Sequence, residues 1–153
     1  MNHYTQLLIY IKSLADADVF INTVLKGGDF DLNKMDLYPV LNIDILTGNF
    51  TNGSTVVLDV EITCLDVRDE NKNEVTTDKF WEQDNEVDNH NETLEVLNRL
   101  WLKMYVDFAD NDITSSENPT LAKMTDVEKN RLDGWLLSFS VEMPNTTIDL
   151  CNE

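Results

Sequence analysis

Val56-Val57-Leu58-Asp59-Val60-Glu61-Ile62-Thr63-Cys64 carries the pattern that decides the fold class. Val56, Leu58, Val60, Ile62 and Cys64 fall on one side of an extended backbone, while Asp59, Glu61 and Thr63 fall on the other. Side chains alternate across a strand with a period of two, so the spacing predicts a strand packed on one face and wet on the other. A sheet with one solvated side is expected around it.

Just upstream, Gly48 to Ser54 contains Asn52-Gly53, a pair that readily takes the positive φ angles of a tight hairpin turn. The turn joins the central strand to another at Tyr38 to Leu46, where Leu41, Ile43 and Ile45 face one way and Asn42 and Asp44 the other. Pro39 belongs at its beginning, where no ladder donor is needed. The two strands are expected to be antiparallel neighbours. Most such hairpins only connect strands, but a long one can add strands to a neighbouring subunit, so Asn52 and Gly53 are candidate contact residues.

Further upstream, Val19 to Leu25 alternates and runs into Gly27-Gly28, which predicts a first strand closed by a turn. Before it, Tyr4, Leu7, Leu8, Ile11 and Leu14 recur at helical spacing and predict a helix over Tyr4 to Ala15.

Downstream, Asp66 to Asn91 is acidic, rich in Asn and poor in apolar residues, which predicts a long loop. Phe80 and Trp81 stand out within it. Two large aromatics in a polar segment either fold back on the core or dock on a partner, so both are candidate contact residues. A second helix is predicted from a capping box at Asn89 and Glu92 to about Phe108, with Leu94, Leu97, Leu100 or Trp101, Met104 and Phe108 inward. Thr120 to Thr125 suits a short strand, and Trp135 to Met143 alternates clearly before Pro144 stops it. The expected fold is a single α+β domain over residues 1–153 with a long acidic loop at 66–91. Its sheet should be antiparallel or mixed, with about four to five strands and both helices packed on one face.

The 153 residues suit one domain with one core, and 42% hydrophobic content is enough to build it. Against 11 Lys+Arg stand 29 Asp+Glu, a formal net charge of -18. Such a surface repels phosphate, which argues against nucleic-acid binding through an open basic face. Acidic charge also serves solubility alone. Cys64 and Cys151 lack the spacing of a zinc site or a disulfide framework. The apolar run Leu7 to Ile11 is short and is followed at once by Lys12, so no targeting signal or membrane span is expected.

Catalysis needs a group of suitable pKa held beside a partner. The chain has 2 histidines: His3 near the N-terminus, and His90 at the head of the second helix, where hydration or capping is expected. No nucleophile elbow, phosphate loop or His-Glu-x-x-His helix occurs, so neither catalytic residues nor a cofactor are assigned. Asp84, Glu86, Asp88, His90, Glu92 and Glu95 have the ligand spacing of a calcium loop. Asn89 stands where that loop needs Gly and Asn91 where it needs an apolar residue, so no metal site is assigned. The glycosylation sequons at Asn49, Asn52, Asn91 and Asn145 are read as chance in a chain rich in Asn and Thr.

Three features in order carry a resemblance. They are the strand Leu58 to Val67 entering an acidic loop, the helix Asn91 to Leu100, and the closing stretch Gly134 to Pro144 with Leu150-Cys151-Asn152. Together they resemble the small neck and tail-completion proteins of tailed bacteriophages: tail-terminator-like, head-tail connector subunits, including ring proteins of crAss-like phages. The resemblance covers most of the chain from about Tyr38 onward. It implies a structural virion protein that self-associates into a ring at the portal–tail junction. Its partners would be portal, connector and tail proteins, it would have no active site, and it would assemble in the bacterial host cytoplasm. Specific nucleic-acid binding and membrane contact are not implied, although DNA would pass through the lumen. The segment Asp69 to Asn89 departs from the group as an insertion. The rival reading is a small acidic DNA mimic that captures a basic host enzyme. A hydrolase built on carboxylates alone ranks behind both, since no pair of acids stands out.

Overall fold

The computed structural model describes residues 3–27, 38–68, 85–127 and 131–145. Its elements run α1 (His3–Ala17), β1 (Thr23–Lys26), β2 (Val40–Thr51), β3 (Thr55–Val67), α2 (Glu86–Asp110), β4 (Thr114–Ser115), β5 (Thr120–Val127) and β6 (Leu132–Pro144). The fold is α+β with a mixed, open sheet of six strands, one more than the upper expectation from sequence. The additional strand is the two-residue β4, too short to leave any periodic signal.

β3 and β6 form the spine. They pair antiparallel without a slip from Thr55 opposite Pro144 to Val67 opposite Leu132. β2 lies antiparallel on the other side of β3, as the Asn52-Gly53 turn requires. β1 adds in parallel beside Val40 to Ile43. Along the outer side of β6, β4 pairs with Val141 and Glu142, and β5 pairs from Ser138 down to Leu132. Between β4 and β5, Ser116 holds on to β6: its N–H donates to Ser140 O at 2.9 Å, its Oγ donates to the same oxygen at 3.1 Å, and its Oγ accepts from Ser140 N at 2.6 Å.

One face of the sheet carries Leu41, Ile43, Val56, Leu58, Val60, Ile62, Leu137, Phe139, Val141 and Met143 into a single core with Leu7 and Ile11 of α1 and Val96, Leu97, Leu100 and Met104 of α2. Both helices therefore cover that face. They run antiparallel: Tyr10 Oη donates to Asp107 Oδ2 at 2.7 Å near one end, and Arg99 clamps Asp18 with two 3.0 Å bonds near the other. No described helix is long and apolar enough to cross a membrane.

Three details depart from the sequence reading. The first strand begins at Thr23, not Val19, and Val19 is 99% exposed. Asp18 turns the chain out of α1 by accepting from Phe20 N at 3.0 Å, and Asn22 and Thr23 then donate to Pro39 O, so the alternation of Val19 to Asn22 is spent in a corner. Helix α2 starts at Glu86, one turn earlier than predicted, and Asn89 is no cap. Its Nδ2 instead donates to Val67 O at 3.0 Å from a buried position. The second face of the sheet is also only partly wet. At one end Tyr38, Val40, Leu65 and Leu132 form their own buried cluster, flanked by Leu25, Val67, Met124 and Val127. The strict alternation of β3 breaks at Cys64-Leu65, where both faces become apolar.

Candidate functional site

In the β2–β3 hairpin every residue from Leu46 to Ser54 is exposed, whereas Val56 and Leu58 on the opposing strand are buried. Asn52 and Gly53 have φ of 49° and 72°, and Ser54 N donates to Thr51 O at 2.9 Å, closing the predicted turn. Asn145 at the end of β6 braces the tip: its N–H donates to Ser54 O at 2.9 Å and its Nδ2 to Gly53 O at 3.4 Å. The tip is thus held firmly while its apolar residues stay in water. Phe50 is 74% exposed and Leu46 50%.

The predicted contacts Asn52 and Gly53 lie on this tip; Phe80 and Trp81 lie outside the described residues. Sequence reasoning singled out the turn and missed Phe50 beside it. Phe50 extends the predicted strand past Leu46, where the turn signal of Asn52-Gly53 masks the continuing strand.

A second apolar feature lies across the sheet. Leu94, Leu97 and Trp101 of α2, with Pro119, Leu121 and Leu137, line an open groove of about 340 Å³ between the helix and β5. Leu121 is 47% exposed at its rim. Trp101 is fixed from behind by Phe139, with ring centroids 5.2 Å apart.

The face of the sheet away from the helices is polar in its middle. Asp59 accepts from Ser140 Oγ and Thr47 Oγ1, both at 2.5 Å, and these bonds to the ionised form hold its carboxyl below the usual range. Thr55 Oγ1 donates to Glu142 Oε1 at 2.6 Å. Cross-strand hydroxyls thereby fix carboxylates in place on a face that also carries Asp44 and Glu61.

Where β3, β6 and α2 meet, a polar cluster is buried. Arg68 reaches Asp133 by two bonds, Nε to Oδ2 at 3.0 Å and Nη2 to Oδ1 at 2.7 Å, and Asp126 N donates to the same carboxylate at 2.9 Å. Burial pulls the Asp133 carboxyl upward, but the Arg68 and backbone hydrogen bonds outweigh it and hold it below the usual range. Asp66, desolvated by burial and close to the carboxylates of Glu92 and Asp133, is pushed the other way. His90, expected to be hydrated or capping, is buried; its Nε2 donates to Met124 O at 2.8 Å, and its own carbonyl accepts from Trp135 Nε1 at 2.9 Å. This network ties β5 and β6 to α2.

Of the residues with the spacing of a calcium loop, Asp84 lies outside the described residues and Glu86, Asp88, His90, Glu92 and Glu95 all lie on α2. Alternate residues on a helix point about 200° apart, so this spacing cannot encircle one cation. Among the described residues no group of three or more His, Cys, Asp or Glu is placed to hold a metal ion. Cys64 is buried, and desolvation pushes its thiol far above the ordinary range, which disfavours thiolate chemistry.

No family model matches this chain, and no curated protein is significantly similar to it.

Proposed function

We propose that this chain is a structural subunit of an oligomeric ring at the head–tail junction of a tailed bacteriophage, contacting portal, connector and tail proteins and performing no catalytic step. The observation that carries the reading is the hairpin tip, where Leu46 and Phe50 are held in water on a braced strand pair. A rigid exposed aromatic beside open backbone groups is a surface suited to a protein neighbour. The resemblance drawn from the strand, helix and closing-strand patterns supplies the particular assembly.

The carboxylates on the helix-free face fit the same role. A lumen bordered by Asp44, Asp59, Glu61 and Glu142 would repel duplex phosphates and let DNA slide without adhering.

Mass spectrometry of purified virions tests the reading: the chain is expected in a small fixed copy number, and purified protein is expected as closed rings by mass photometry and negative-stain microscopy. Absence from virions, with salt-weakened one-to-one capture of a basic nuclease or polymerase, would point to the acidic mimic instead.

A further inference from the structure

The geometry points to a head-to-tail contact between copies of this chain, in which the open edge of β2 in one copy pairs with β5 of the next and Phe50 enters the groove beside Trp101. This rests on the ring reading and names the surfaces that would build it.

The sheet has two open edges among the described residues. On one side β1 covers only Val40 to Ile43 of β2, and the last bond there is Gly27 N donating to Ile43 O at 3.1 Å. From Asp44 to Thr51, β2 has β3 on one side and, among the described residues, no strand on the other. On the opposite side β5 pairs with β6 alone. Both edges present alternating N–H and C=O groups, a template for strand addition.

Four properties make these edges fit each other. First, direction: β2, β3, β6 and β5 alternate along the sheet, each antiparallel to the next. A copy added in the same orientation brings its β2 antiparallel to β5, the more stable pairing. Second, length: the regular stretch Thr47 to Thr51 faces the regular stretch Thr120 to Met124, and each strand has its irregularity just beyond, at Leu46 and at Thr125-Asp126. Third, face: Phe50 pairs with Val56 and Leu121 with Leu137, so both project on the helix-covered side. Setting Thr51 opposite Thr120 puts Phe50 opposite Leu121 and the side-chain-free Gly48 opposite Lys123. Fourth, volume: an apolar cavity of about 150 Å³ accommodates a benzene ring, and the groove at Leu121 measures about 340 Å³.

The register also sets how far one copy is displaced from the next. Phe50 lies level with Met143 and Leu121 level with Leu137, so the incoming copy is displaced along the strands by the distance from Met143 to Leu137. That displacement is roughly 20 Å, across a four-strand width of roughly 19 Å. The strands consequently tilt by about 45°, close to the tilt with which sheets close on themselves. Because donor and acceptor are different surfaces, each copy uses both, and repeated addition closes into a ring or grows as a filament.

Complementation tests the contact. Phe50→Asp and Leu121→Asp are each expected to keep the melting midpoint and far-UV circular dichroism of the parent, and to weaken self-association at least tenfold by sedimentation velocity. Mixing the two variants leaves one intact Phe50 and one intact groove, so heterodimers, and nothing larger, should form. In a separate Phe50→Cys, Leu121→Cys, Cys151→Ser chain, mild oxidation should give a ladder of disulfide-linked oligomers. Rings that persist in both Asp variants, with no ladder, would overturn this contact and leave the ring reading standing. Assembly lost in both variants without recovery of dimers on mixing would overturn the head-to-tail pairing. A parent chain that stays monomeric at every concentration and salt level would overturn both.

Discussion

Asp133 illustrates how one residue is decided by its partners. Its side chain is fully buried and makes three hydrogen bonds, two from Arg68 and one from Asp126 N–H, while Arg68 also lies 3.4 Å from Glu86. Asp133→Ala removes three hydrogen bonds, two of them charge-assisted, from a buried site while Arg68 keeps Glu86 beside it, so it should cost about 2 kcal/mol in chemical denaturation at neutral pH. The sign of the pH dependence follows from its depressed folded pKa. The stabilisation is fully present above the unfolded carboxyl pKa of about 3.9 and is lost as pH falls through the lower folded value. The gap in stability between parent and variant should therefore narrow on acidification below about pH 4. Asp66 has the opposite sign: burial raises its folded pKa, so lowering the pH relieves its burial penalty. Next along the chain, Gly134 has no room for a side chain. A Cβ there would sit 1.9 Å from Cys64 O and 2.9 Å from Cys64 C, both backbone atoms of the adjoining strand. Gly134→Ala should lower stability by about 3 kcal/mol in the same measurement, because no rotamer change relieves the clash.

At the scale of elements, the hairpin and α2 behave differently. The hairpin turn is a backbone requirement: Gly53 has φ of 72° and open space around its missing Cβ. Gly53→Ala should therefore cost only about 1 kcal/mol in thermal or chemical unfolding, the strain of a left-handed alanine without any clash. Helix α2 is anchored by packing and by polar bonds at its first turns. Asn89 and His90 there reach Val67 O and Met124 O, which fixes the helix start to β3 and β5. Its outer side also leaves Leu102, Tyr105 and Val106 exposed.

For the whole molecule, charge sets the conditions under which the proposed assembly would form. Each copy carries a formal net charge of -18, so two copies repel over distances longer than the contact itself. The screening length falls from about 10 Å at 0.1 M salt to about 3 Å at 1 M. Self-association through strand edges and an apolar groove should accordingly tighten roughly tenfold between low and high salt, read by mass photometry or sedimentation. Capture of a basic enzyme would weaken over the same range, so one titration separates assembly from mimicry.

The sequence by itself determined the fold class, the central β3 face and the hairpin, because a period-two pattern around Asn52-Gly53 has few other solutions. It also determined the two helices and most of their buried stripes, from Leu7 and Ile11 to Leu97, Met104 and Phe108. Only the tertiary structure decided that Val19 is solvent-exposed, that Asn89 serves Val67 instead of a helix cap, and that Leu65 and Leu132 bury a second face. It alone placed β5 at an open edge with Leu121 beside Trp101 and left the outer edge of β2 beyond Ile43 without a second strand among the described residues. The reason is physical: periodicity records which side of an element is apolar, whereas an edge or a groove exists only once strands distant in the chain have chosen their neighbours.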